Sequence, residues 1–186
     1  MHTPFQPSQQ VWATLEAMNE ASHRGQPFFF ILDFELQEGV FVLEPLQHHD
    51  GSLFFAFPTA KTPDPIGLKG KLTLTPSPEA PERYDERFDI IHRGLMRGDS
   101  FLTNLTIRTP IKTEASLEDI YLSSEATYRV LLPGRFVSFS PECFVKLQGD
   151  ELATPPMKGT IDARIPDAAE KLRADYKEGC EHHTIV

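Results

Sequence analysis

The sequence predicts an α+β fold in which largely antiparallel sheets are flanked by helices. Three observations carry that reading. Runs of strand-forming residues come in consecutive pairs joined by turn residues; several separate stretches show helical periodicity; and the two kinds of element do not alternate as βαβ units would require. The composition supports a folded chain: 40% of the 186 residues are hydrophobic and 24% charged, within the globular range.

In chain order, Val11, Trp12, Leu15 and Met18 follow helical spacing and stop before Gly25. Phe28–Phe34 and Val40–Leu43 then read as a hairpin around Glu38-Gly39. Six prolines between Pro58 and Pro81, with Gly67 and Gly70, predict an extended connection with a strand at Lys71–Thr75. The main internal boundary is placed near residue 82. Tyr84, Phe88, Ile91 and Leu95 recur at i, i+4, i+7 and i+11, with Asp85 and Glu86 at the start and Arg93 and Arg97 at the end, so an amphipathic helix runs to Gly98. Ser116-Leu117-Glu118-Asp119 has the spacing of a capping box before a short helix. Strands follow at Thr127–Leu132, Arg135–Ser140 and Phe144–Leu147, with turns at Pro133-Gly134 and Gly149-Asp150. A single last helix is expected from Asp167 to His183, with Ala168, Leu172, Tyr176 and Cys180 or His183 on its inner face.

Function classes fall away on charge and hydropathy. With 18 Lys and Arg against 27 Asp and Glu, the net charge of −9 argues against nucleic-acid binding. The longest strictly apolar run, Phe28–Leu32, is far below the roughly 18 residues of a membrane span, and no basic and then apolar leader opens the chain. The chain reads as soluble and cytoplasmic, with no membrane partner. Cys143 and Cys180 are too few for a disulfide framework, and Asn104-Leu105-Thr106 is a glycosylation sequon that a cytoplasmic chain leaves unmodified.

Three places could carry chemistry. Glu142, in Ser140-Pro141-Glu142 at a strand end, is by itself a solvated turn residue; desolvated, its carboxyl would stay protonated and could act as a general acid. Lys158, in Thr154-Pro155-Pro156-Met157-Lys158-Gly159-Thr160, is not part of a phosphate-binding P-loop, because the upstream glycine and the Gly-Lys order are absent. It is either a solvated loop cation or, if buried, a nucleophile. Glu178 and Glu181, in Lys177-Glu178-Gly179-Cys180-Glu181-His182-His183, share a helix face and suit a hard cation, with a Lys177–Glu181 ion pair as the plainer account. A zinc site from Cys180 and His183 lacks further ligands at suitable spacing.

Taken together, Gly98-Asp99-Ser100-Phe101-Leu102-Thr103-Asn104-Leu105-Thr106, Ser138-Phe139-Ser140-Pro141-Glu142, Pro156-Met157-Lys158-Gly159-Thr160 and Lys177-Glu178 with Glu181 resemble the chorismate-utilising enzymes. The resemblance covers residues 84–186; Phe28–Glu35 resembles the family's more variable leading segment. Residues 1–82 would thus be that variable segment and 83–186 the first part of the chorismate-binding catalytic region. Lysine at position 158, where anthranilate, isochorismate and salicylate producers usually carry alanine, resembles the aminodeoxychorismate synthase branch, which leads to p-aminobenzoate and folate.

The resemblance implies amination of chorismate at C4, with ammonia from a glutamine amidotransferase subunit. It makes Lys158 the nucleophile at C2, Glu142 the acid that protonates the leaving hydroxyl, Glu181 and Glu178 the magnesium ligands, and Gly159 and Thr160 part of the substrate-binding loop. Lys158 then has to be activated, since an amine with a pKa of about 10.4 is neutral in only about one molecule in 2,500 at pH 7. Burial or a nearby cation would do this, and Glu142 needs the opposite, an apolar or anionic setting among Phe139, Cys143 and Phe144. The chain ends at Thr184-Ile185-Val186, where the family continues as a strand toward a second magnesium glutamate and the arginine and tyrosine that grip the substrate. The 186 residues are therefore expected to be an incomplete, truncated catalytic region of little or no activity. Two other readings stay open: an anthranilate or isochorismate synthase component, and a non-catalytic fragment that binds a partner through its incomplete sheet.

Overall fold

The computed structural model describes residues 6–47, 49–140, 143–154 and 160–185, with side chains except at 181, 184 and 185. In chain order the elements are α1 (Gln9–His23), β1 (Phe28–Leu32), β2 (Gly39–Leu43), β3 (Phe54–Phe57), β4 (Ala60–Lys61), β5 (Thr75–Pro76), α2 (Pro81–Arg97), β6 (Ile111–Lys112), α3 (Leu117–Ser123), β7 (Arg129–Leu132), β8 (Phe136–Phe139), β9 (Lys146–Gln148), β10 (Glu151–Ala153), α4 (Ala168–Ala174) and α5 (Tyr176–Ile185). The fold is α+β, and the strand pairs are antiparallel. Contacts divide the chain into two compact units, residues 1–137 and 138–186. The boundary near residue 82 marks a division of another kind and falls inside the first unit. Among the described residues no helix is long and apolar enough to cross a membrane.

The first unit is built on a sheet of order β4-β3-β7-β8. Strand side chains alternate between faces, so the apolar residues of β3 and β7 supply two cores. Leu53, Phe55, Val130 and Leu132 point to one face, where Phe29, Ile31, Val40 and Val42 of the β1–β2 hairpin cover them. Phe54 and Leu131 point to the other and pack on Tyr121, Leu117 and Leu122 of α3. Phe29 stacks on Phe55 at 5.4 Å between ring centroids, and Phe55 on Phe57 at 5.0 Å. Both faces are covered, which is why Leu53–Phe57 is a continuous apolar run and not an alternating one.

α1 lies against the β1–β2 hairpin through Val11, Thr14 and Ala21, all buried. The sequence places Trp12 on this face, yet Trp12 is 55% exposed and Thr14 takes the place instead. Its hydroxyl donates to the Gln10 carbonyl at 3.1 Å, which removes the cost of burying it. The contact is close enough to need Gly39: a Cβ there would sit 2.7 Å from Thr14 Oγ1. The expected strand at Lys71–Thr75 shifts to Thr75–Pro76, where β5 pairs with β6, because residues 67–70 are held instead by α3.

That tether is legible atom by atom. Ser116 Oγ accepts from the Asp119 amide at 3.1 Å and Asp119 Oδ2 accepts from the Ser116 amide at 3.0 Å, completing the capping box. The second Asp119 oxygen accepts from the Leu68 amide at 2.6 Å, and Ser123 Oγ accepts from the Gly70 amide at 3.1 Å. Gly67 permits the approach, since a Cβ there would lie 3.0 Å from Asp119 Oδ1. The Leu68 amide, followed by the Ser116 amide, holds the Asp119 carboxyl below its ordinary pKa.

A depressed carboxylate pKa stabilises the fold above the unfolded value of about 3.9 and stops doing so as pH falls through the folded value. Acidification below pH 4 should therefore free residues 67–70 before the sheet melts, seen as faster hydrogen exchange at Leu68 while β3 and β7 stay protected. Ser116→Ala should lower stability by about 1 kcal/mol in urea titration. Tyr121 offers a converse test. Its side chain is fully buried, the Arg129 guanidinium lies 5.1 Å from its ring, burial pushes its phenol up, and among the described residues its hydroxyl has no hydrogen-bond partner. Tyr121→Phe should thus be neutral or stabilising, whereas Tyr121→Ala should cost about 3–5 kcal/mol, by thermal unfolding.

Candidate active site

The sequence-derived site residues belong to the second unit. Its first element is the hairpin of β9 and β10, with Gln148 opposite Glu151 and Lys146 opposite Ala153, closed through Gly149 at φ 60°. Because the pair runs antiparallel, positions 145 and 154 lie at one end of the hairpin. Glu142 precedes the first by three residues and Lys158 follows the second by four. Glu142, Lys158 and Gly159 themselves lie outside the described residues. Thr160 is described and exposed.

Ser140, the last described residue before Pro141-Glu142, has φ 41°. That left-handed conformation is uncommon for serine and more so before proline, which favours extended backbone at the preceding position. Local strain of this kind concentrates at functional segments, and the sequence pattern held no sign of it beyond the proline.

The expected single helix from Asp167 to His183 is two helices. α4 ends and α5 begins at Asp175, whose backbone is extended (φ −71°, ψ 115°). Asp175 caps both. Its amide donates to the Leu172 carbonyl at 3.3 Å, its carbonyl accepts from the Gly179 amide at 3.0 Å, and its carboxylate accepts from the Glu178 amide at 3.0 Å. The break disrupts the inner face read from the spacing: Leu172 stays half-buried, but Tyr176 is 85% exposed and Cys180 is exposed too. Asp175 with Glu178 three residues later is an N-terminal signal that the longer periodicity masked.

Glu178 consequently sits in the first turn of α5, half-buried, with Lys177 Nζ 3.8 Å from its Oε1. Position 181 is three residues on, so helix spacing puts it on the same face; its side chain lies outside the description. Glutamates at 178 and 181 are the residue type that would offer carboxylate oxygens to a hard divalent cation. Among the described residues no group of three His, Cys, Asp or Glu is close enough to hold a metal. Neither cysteine forms a disulfide.

Comparison with known proteins places these features in a family. The model for chorismate binding enzymes matches residues 44–186, and the chain belongs to that family. It is 36% identical to an uncharacterised PabA-like protein of Pasteurella multocida, over 94% of this chain and 54% of that protein. It is 33% identical to anthranilate synthase component 1 of Streptomyces coelicolor, over 56% of this chain and 23% of the relative. It is 30% identical to aminodeoxychorismate synthase component 1 of Escherichia coli, over 56% and 26%. The chain spans about half the length of the PabA-like relatives it matches. No solved structure matches it significantly.

The two-helix arrangement carries its own test. Asp175→Ala should fray the first turn of α5 and cost about 1 kcal/mol, with faster exchange at residues 176–179, whereas Asp175→Asn should keep most of the cap.

Proposed function

We propose that the chain supplies the nucleophile-bearing part of an enzyme that aminates chorismate at C4 to 4-amino-4-deoxychorismate, with ammonia delivered by a glutamine amidotransferase subunit. The observation that carries this reading is Lys158 within Pro156-Met157-Lys158-Gly159-Thr160, in a chain of the chorismate binding family whose relatives include aminodeoxychorismate synthases. Anthranilate synthases are also among the relatives, so the branch rests on the lysine.

In the proposed mechanism the neutral Lys158 amine attacks ring carbon C2. The C2–N bond forms, the ring double bond shifts, and the C4–O bond breaks as Glu142 gives its proton to the departing hydroxyl, which leaves as water. Ammonia then adds at C4, the double bond shifts back, and Lys158 departs with the electron pair of its C2–N bond. The two residues have the reach to meet over one substrate. They lie three and four residues beyond one end of the β9–β10 hairpin, lengths that span at most about 10 and 14 Å. Glu178 and Glu181 would hold magnesium, which when bound neutralises a substrate carboxylate. Gly159 and Thr160 complete the loop beside the lysine.

The test uses the chain joined to the polypeptide that the relatives carry outside the matched part, incubated with chorismate, ammonia and magnesium. Mass spectrometry should find 4-amino-4-deoxychorismate. Anthranilate as the product would overturn the branch assignment. Lys158→Ala should abolish a covalent chorismate adduct and cut C4 amination at least 100-fold, while thermal unfolding stays within about 0.5 kcal/mol of the parent. Undiminished C4 amination by a folded Lys158→Ala protein would reduce the lysine to an electrostatic aid.

A further inference from the structure

Among the described carboxylates of residues 160–185, Glu178 is the one drawn in from water. Asp162, Asp167, Glu170 and Asp175 are exposed, whereas the Glu178 side chain is 23% exposed against 77% for its neighbour Lys177. Packing limits a half-buried side chain to few rotamers, so the direction of the Glu178 carboxyl follows from where the backbone of residue 178 is held. Asp175 holds it. The first amides of a helix have no partner earlier in the same helix. In α5 the Glu178 amide donates to the Asp175 carboxylate at 3.0 Å, and the Gly179 amide donates to the Asp175 carbonyl, also at 3.0 Å.

The turn has little intrinsic tendency to hold itself. Glycine is less favourable in a helix than alanine by about 1 kcal/mol, and Gly179 follows Glu178 directly. Among the described residues nothing lies within 4 Å of the place a Gly179 Cβ would take, so no close approach of another element steadies the turn from that side. We propose that Asp175 is a positioning residue for Glu178. Its carboxylate, by taking the Glu178 amide, fixes the turn from which the Glu178 carboxyl reaches the cation. The inference rests on the magnesium role proposed for Glu178 and goes beyond it by naming the residue that keeps that ligand in place. Capping requires a side-chain oxygen and not a charge, so asparagine should serve at position 175 where alanine cannot.

The test uses the chain joined to the polypeptide that the relatives carry outside the matched part. It is titrated with manganese(II) in place of magnesium, and the free ion is read by electron paramagnetic resonance with no substrate present. Glu178→Gln should weaken binding about tenfold or more. Asp175→Ala should do the same, since removing a group that orients a metal ligand costs about 10–100-fold in affinity. Asp175→Asn should stay within about threefold of the parent, because its side-chain oxygen still accepts from the Glu178 amide. Leu172→Ala, which loosens the end of α4 and leaves that amide capped, should also stay within about threefold, with thermal unfolding recording the stability each variant loses. Unchanged affinity in Asp175→Ala beside a weakened Glu178→Gln would overturn the positioning role and leave the ligand assignment standing. No effect of Glu178→Gln would overturn both. Equal losses in Asp175→Asn and Asp175→Ala would assign the effect to charge, and an equal loss in Leu172→Ala would assign it to general loosening; either result overturns the proposal.

Discussion

Both apolar cores of the first unit hang on the pairing of β3 with β7. Phe54 lies opposite Leu131 and Phe55 opposite Val130, and because successive side chains point to opposite faces, this one ladder creates both apolar surfaces. The β1–β2 hairpin with α1 covers one, and α3 covers the other. A one-residue slip would exchange the two faces and leave neither layer with a complementary surface. On the other side of β3, Thr62 ties the β4 edge: its amide donates to the Phe55 carbonyl and its hydroxyl accepts from the Phe55 amide, both at 3.0 Å.

The second unit is held differently. Its strands are three residues each and exposed, and its two short helices are joined through one aspartate. Among the described residues, order there comes from the β9–β10 ladder with its turn at Gly149 and from the hydrogen bonds that Asp175 makes to both helices.

Much of this was legible beforehand, and the reasons differ by element. Wherever the signal was local, it held: the Ser116–Asp119 capping box, the hairpin around Glu38-Gly39, and the α2 stripe ending at Gly98 all depend on residues within a turn or two of one another. The readings that failed needed tertiary information. Trp12 lost its inward place to Thr14 because the hairpin comes too close at Gly39 for a larger neighbour. The last helix broke because a capping aspartate outweighed a period that spans it. The Asp119–Leu68 hydrogen bond joins residues 51 positions apart, and nothing in the local pattern of either announces it. The candidate site was readable only as motifs, since the placement of Glu142 and of Lys158 depends on loop conformation that periodicity does not encode.

The β3–β7 ladder also fixes an order of events during synthesis. About seventy residues separate the two strands, and bringing such distant segments together costs loop entropy before any contact repays it. The α1–β1–β2 layer can form early from neighbouring residues, yet its apolar face has no sheet to rest on until Leu132 has left the ribosome. During that interval the phenylalanines of β1 and β3 are in water together. For this chain the hazardous period for aggregation lies in translation, before the central pair closes.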